Sequence, residues 1–218
     1  MPEFAEGAEV AHDAKRATRI ELLARRRART EAERAAAAAR LRAELASLVN
    51  RLRPGRIAAY APVGGEPGGS ELPTVLAEVL PAGADLLLPV LRDDLDLDWA
   101  AWDGPQAIIA AGRGIREPTG PRLGVTAVAT ADLVVVPALA VDRRGIRLGR
   151  GGGSYDRALA RVPATVLTVV PLYDGELLSE LPAEPHDLPV RAVVTPTDGL
   201  LTLAGVVPHT SAGRTGGR

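Results

Sequence analysis

Leu133-Val134-Val135-Val136-Pro137 opens the stretch that decides the fold, and Arg147-Leu148-Gly149-Arg150-Gly151-Gly152-Gly153-Ser154-Tyr155-Asp156-Arg157 follows it. A β-branched run packs on both faces of a sheet, and the closing proline removes a ladder donor, so residues 133–136 predict a buried strand. The glycines carry no Cβ; they can take positive φ and let backbone N–H groups come close to an anion. Residues 155–161 predict the start of a helix, whose first turn offers unpaired donors and the positive dipole end. Arg147 and Arg150 add two permanent cations. The local expectation is a phosphate cradle.

Two familiar cradles do not match. The P-loop ends in Gly-Lys-Ser/Thr, and no lysine stands near this loop. The dinucleotide fingerprint Gly-x-Gly-x-x-Gly follows its strand directly, whereas here Gly149-x-Gly151-x-Gly153 comes well after Val136.

Toward the N-terminus, residues 1–8 read as frayed. Val10, Ala14, Ile20 and Leu23 then mark an amphipathic helix over residues 9–29. Thr30-x-x-Glu33 is a capping-box pattern that restarts a second helix, which carries Leu41, Leu45, Leu48 and Val49 at helical spacing and stops at Pro54-Gly55. The basic run at residues 25–29 is flanked by acids and reads as a solvated helix face rather than a nucleic-acid patch. Residues 56–60 predict a strand opening into a Gly/Pro-rich loop, after which Ser70 is expected to cap a helix ending near Leu80. Residues 85–90 predict a strand, and residues 95–99 alternate like one with a wet face. Residues 108–120 read as irregular. Further strands are expected at 164–170, 191–195 and 200–203, with a disordered tail over 205–218. The expectation is a single α/β domain over residues 1–204. It has a mostly parallel central sheet, helices on both faces in three layers (α/β/α), and an N-terminal helical hairpin.

The 218 residues suffice for a sizeable core, and 46% apolar with 24% charged residues is ordinary for a soluble domain. A net charge of −1 gives no global field for nucleic acid or an anionic membrane. Without cysteine there is no disulfide, thiolate metal site or Cys nucleophile. His12, His186 and His209 are scattered, which argues against zinc. The polar, acidic N-terminus and the lack of a long apolar run point to the cytoplasm. Of the 26 basic residues all but Lys15 are arginine, a skew that reads as a coding bias toward Arg; the lone lysine is either an accident of that bias or a position that calls for a compact ammonium.

The run Arg147–Arg157, preceded by Val-Pro-Ala-Leu-Ala-Val-Asp142, resembles the signature of the 5-formyltetrahydrofolate cyclo-ligases (methenyltetrahydrofolate synthetases). Ser154 stands where that signature has an aromatic, and Val141 where it has Phe. The resemblance implies an ATP- and Mg²⁺-dependent ring closure of 5-formyltetrahydrofolate to 5,10-methenyltetrahydrofolate, on small-molecule substrates and as a monomer. It further implies that Lys15, Arg19, Arg147, Leu148, Gly149, Arg150, Gly151, Gly152, Gly153, Ser154 and Tyr155 contact ATP, with Arg147 and Arg150 catalytic. Arg19, Tyr60, Ala61, Glu66 and Arg150 to Ser154 would line the folate, and Asp156 and Asp187 would hold Mg²⁺, with Arg191 replacing a further acid of the family. Taken alone, Asp156 is also what a helix start favours, and Glu66 is an ordinary loop acid. A sugar-phosphate isomerase or deaminase, or a nucleotide-binding module without turnover, is the alternative reading of such a loop.

Overall fold

The computed structural model describes residues 3–111, 115–184 and 187–203, with residues 3–12 as helix backbone. Two long helices come first, α1 (Glu3–Ala28) and α2 (Glu31–Leu52). Strand β1 (Arg56–Ala58), α3 (Leu72–Glu78), β2 (Asp85–Leu91) and β3 (Leu97–Ala101) follow. A short ribbon of β4 (Ile108–Ala110) and β5 (Arg116–Pro118) leads to β6 (Leu133–Val135), β7 (Ala140–Asp142), β8 (Arg147–Leu148) and α4 (Ser154–Leu159). The chain closes with β9 (Leu167–Pro171), β10 (Leu177–Leu178), β11 (Ala192–Thr195) and β12 (Gly199–Thr202).

Seven strands form the main sheet in the order β12-β11-β9-β6-β1-β2-β3. The inner pairings β11–β9, β9–β6, β6–β1 and β1–β2 are parallel, and the two edge strands run antiparallel. The strand predicted from Leu133 onward lies at the middle of this order. Side chains alternate across a strand, and here alternation sorts the core in two. Ile57, Leu86, Leu88, Leu133, Val135, Val169 and Val194 join one cluster, with Leu41, Leu45, Leu48 and Val49 of α2 and Leu72 and Leu76 of α3. Ala58, Leu87, Val134, Val170 and Val193 face the other way, toward Ala158 and Leu159 of α4 and the 3₁₀ turn Val125–Thr130. Both faces are therefore covered, as the continuous apolar strands require. The α/β class with a mostly parallel sheet is as expected.

The capping box forms: the Thr30 side chain accepts from the Glu33 N–H, and the Glu33 carboxylate accepts from the Thr30 N–H at 2.7 Å. Several local expectations need correction. Helix α1 begins at Glu3, so residues 3–8 are helical rather than frayed. Among its described side chains Lys15, Leu22 and Arg26 are buried and Arg19 and Leu23 half-buried, so the inward stripe is mainly cationic. Of the expected apolar residues Ala14 is exposed and Ile20 is 62% exposed, while Lys15 and Arg26 are 5% and 4% exposed. Arg26 thus leaves the solvated face assigned to the basic run. Ser70 does not cap α3; Glu71 holds that position without a side-chain bond. Residues 108–118 are not wholly irregular, because β4 and β5 pair antiparallel. Strand β3 begins at Leu97 rather than Leu95; Leu97 and Trp99 are buried as the alternation requires, but the face expected to be wet is only partly so, Asp98 being half-buried and Ala100 fully buried. The tail over 205–218, His186, His209 and the side chain of His12 lie outside the described residues. No helix among the described residues is long and apolar enough to cross a membrane.

Candidate active site

After β6 the chain leaves the sheet and builds a three-stranded one, β10-β7-β8, that carries the glycine loop. Its turn is held by Asp142, fully buried, which accepts from the backbone N–H groups of Arg144, Ile146 and Leu181. This gives the acid of the signature a structural task. Gly145 in that turn has φ +89°, and a Cβ there would lie 2.4 Å from the Val190 carbonyl oxygen. The turn is thereby seated on Pro189 and Val190, and the Val190 N–H donates to the Gly145 carbonyl at 2.9 Å. Val141, in place of the family Phe, is buried in the core.

Helix α1 closes the opposite wall. Residues 15, 19, 22 and 26 recur at helical spacing, so one face carries three cations and a leucine. Leu22 packs with Leu139, Ala140, Leu148 and Leu181. The Lys15 ammonium donates to Glu184 Oε2 at 2.6 Å and Asp187 Oδ2 at 2.7 Å. Burial works against its charge, but the bonds to Asp187 and Glu184 outweigh that and hold its pKa above the ordinary lysine value. Arg19 Nε donates to the Gly149 carbonyl at 3.0 Å. Arg26 forms a buried two-point pair with Glu176 and donates to the Ala138 carbonyl at 2.6 Å.

Within the loop, Arg147 is buried and paired with Asp156. A Cβ on Gly149 would come within 2.7 Å of an Arg147 guanidinium nitrogen, so the position needs glycine if Arg147 is to stay. Gly151 and Gly153 take φ +102° and +68°, which other L-residues rarely adopt. Arg147 Nε and the Tyr155 hydroxyl are buried without a hydrogen-bond partner, and the Tyr155 ring lies under the Arg147 guanidinium at 5.9 Å. Burial, reinforced by the Glu66 charge, raises the Tyr155 pKa, so the phenol is a donor seeking an acceptor. Glu66 accepts from the Val63 N–H at 3.0 Å and pairs with Arg150 at 3.1 Å. The Tyr60 hydroxyl donates to the Pro67 carbonyl at 2.7 Å, so it braces the loop that carries Glu66.

These residues surround one cavity of about 410 Å³. Its wall contains Lys15, Arg19, Tyr60, Ala61, Glu66, Arg147, Leu148, Gly149, Arg150, Gly151, Gly152, Gly153, Ser154, Tyr155, Asp156 and Asp187, which is every site residue expected from the sequence. It also contains Arg26 and Glu184, which sequence reasoning missed. Arg26 was signalled by its spacing from Lys15 and Arg19; Glu184 had only its position three residues before Asp187. Pro89, Leu91, Leu97 and Ile115 add an apolar side. Arg191 is not part of this wall. One side of the cavity thus suits a polyanion, and the other a flat, largely apolar group with a polar edge. Asp156 and Asp187 are hard oxygen donors of the kind Mg²⁺ takes, and each is already engaged by a cation. No group of three or more His, Cys, Asp or Glu that could hold a metal occurs among the described residues. Mg²⁺ commonly needs only one or two carboxylates beside phosphate oxygens and water, so two carboxylates on the wall of one cavity are donors of a sufficient kind and number.

A family model described as the 5-formyltetrahydrofolate cyclo-ligase family matches residues 11–196. A 5-formyltetrahydrofolate cyclo-ligase of Mycolicibacterium smegmatis is 44% identical over 190 residues, covering 85% of this chain and 95% of that protein. The Escherichia coli (strain K12) protein of that name is 37% identical over 95 residues, 43% of this chain and 52% of the relative. Among solved structures, the Aquifex aeolicus 5,10-methenyltetrahydrofolate synthetase superposes with a TM-score of 0.72 at 29% identity, covering 94% and 96% of the two chains. The Mycoplasma pneumoniae synthetase, at 18% identity and TM-score 0.65 over 82% and 96%, shares the fold.

Proposed function

We propose, from the premise that this chain belongs to the 5-formyltetrahydrofolate cyclo-ligase family, that it closes 5-formyltetrahydrofolate to 5,10-methenyltetrahydrofolate at the expense of ATP. The observation that carries the reading is the single cavity joining the glycine loop, the four cations Lys15, Arg19, Arg26 and Arg147 of α1 and β8, and Glu66. The sugar-phosphate and non-catalytic alternatives draw no support from these relatives.

A formamide oxygen is a poor leaving group. Transfer of the γ-phosphoryl to it breaks the bond to ADP and gives an iminium-like phosphate; the folate N10 then attacks the formyl carbon, and phosphate departs. Such chemistry asks the protein mainly for position and charge neutralisation. Lys15, Arg19, Arg147 and Arg150 supply cations for the triphosphate, and the N–H groups of residues 149–154 supply donors. The Glu66 carboxylate suits an aminopyrimidine edge, which offers it two N–H donors. Pro89, Leu91 and Leu97 exclude water from the ring. Asp156 and Asp187 would hold Mg²⁺, which when bound offsets phosphate charge. Lys15 and Arg147 are neutralised by acids before the nucleotide arrives, so binding is an exchange of partners. We place the reaction in the cytoplasm, with the chain acting as a monomer.

The test is the absorbance of methenyltetrahydrofolate after mixing with 5-formyltetrahydrofolate, with and without MgATP. An increase that requires MgATP is expected. Folded protein giving none would remove the reading.

A further inference from the structure

Glu184 has no part in the reaction as described, yet its carboxylate lies 2.6 Å from the Lys15 ammonium inside the cavity wall. Lys15 is 5% exposed, so its ammonium must be compensated and aimed by protein groups. It has three N–H donors, and Glu184 and Asp187 take two of them. The two acids are linked in turn, because the Glu184 N–H donates to Asp187 Oδ2 at 2.8 Å.

The two carboxylates have different prospects once nucleotide enters. Asp187 is 8% exposed at its side chain and is the acid offered to Mg²⁺; Glu184 is 28% exposed and stays with the protein. With Asp187 turned to a cation, a buried ammonium would keep, among the described residues, no charge partner but Glu184. We infer that Glu184 is a positioning residue: it holds Lys15 in place while Asp187 is handed over and the remaining N–H groups turn to phosphate. This rests on the proposed ATP-dependent reaction and deepens it.

Charge alone predicts the opposite sign. Lys15, Glu184 and Asp187 sum to one negative charge, so an acid that merely repelled phosphate would weaken ATP binding, and its removal would tighten it. An acid that aims Lys15 does the reverse. Glu184→Ala, Glu184→Gln, Lys15→Ala and the double variant Lys15→Ala/Glu184→Ala distinguish the two. The readouts are equilibrium binding of ATP with and without Mg²⁺, and KM for ATP against kcat.

Glu184→Ala is expected to raise KM for ATP and the MgATP dissociation constant roughly tenfold, about the worth of one charge-assisted bond, with a smaller change in kcat. Glu184→Gln keeps an acceptor of the same length but not the charge, so it should restore only part of the loss. In the Lys15→Ala background, Glu184→Ala should add less than about a twofold change, because its effect passes through the missing ammonium. Tighter ATP binding in both Glu184 variants, or an equal loss with and without Lys15, overturns the inference. So does unaltered binding in a protein that still closes the folate, which leaves the reaction itself standing. Wild-type protein that binds no ATP removes the reaction and this role with it.

Discussion

The sheet and the α1 wall bury residues of opposite kind. In the sheet, Leu133 and Val135 point to one apolar cluster and Val134 to the other, and every inner strand repeats the alternation. On α1 the buried positions are Lys15 and Arg26, with Leu22 between them, and each cation finds a carboxylate across the chain. Burying hydrocarbon stabilises directly, whereas burying an ion pair barely offsets its desolvation. The sheet therefore serves stability, and the wall holds charge in a set place, which in the proposed reaction would serve the nucleotide.

Substitutions can break that division. The largest effect is expected for Arg26→Ala, which strands Glu176 in the interior and should cost about 3–5 kcal/mol in urea unfolding. A loss below about 1 kcal/mol would mean α1 does not depend on this pair. Leu133→Ala should cost about 3 kcal/mol by cavity formation, with KM for ATP unchanged in the folded fraction. A shifted KM would show that the sheet tunes the site. Lys15→Arg reverses the pattern: kcat/KM for ATP should fall roughly tenfold with the unfolding midpoint little altered, because a planar fork cannot occupy the ammonium position between Glu184 and Asp187. Asp156→Asn should raise the Mg²⁺ concentration for half-maximal rate severalfold, and a wild-type magnesium curve would count against that carboxylate as a ligand.

The smallest effect concerns pH. Asp96, hydrogen-bonded by Arg161 at 2.6 Å and 2.9 Å, has its pKa held below the ordinary 3.8 by that partner against the opposing effect of burial. A depressed carboxylate contributes stability above its unfolded pKa and loses it as pH falls through the folded one. Asp96→Asn should therefore cost at most about 1 kcal/mol at neutral pH, with the gap to wild type closing below pH about 4. A gap that persists in acid would mean packing rather than charge.

The same contrast explains what could be read from sequence. A continuous β-branched run and a proline stop are local signals, and they identified residues 133–136 as a buried strand. The glycine loop was legible because positive φ and close approach leave a mark in residue type. Lys15 stood out by rarity. The α1 face was misread because the reading equated burial with hydrocarbon, while Glu176, Glu184 and Asp187 arrive from much later in the chain. Strands β7, β8 and β10 are too short to show a period and exist only as partners of one another. The β4–β5 ribbon likewise depends on tertiary support, the Glu117 carboxylate accepting from the Leu91 N–H at 2.9 Å.

Gly145 is not part of the cavity wall, yet it is wedged beneath Pro189 and Val190, just after Asp187 in the chain. A methyl group there would lever that segment outward and loosen the grip on the ammonium from behind. In the proposed reaction, nucleotide affinity would thus be adjustable from a turn outside the cavity wall, by nothing more than the thickness of one residue.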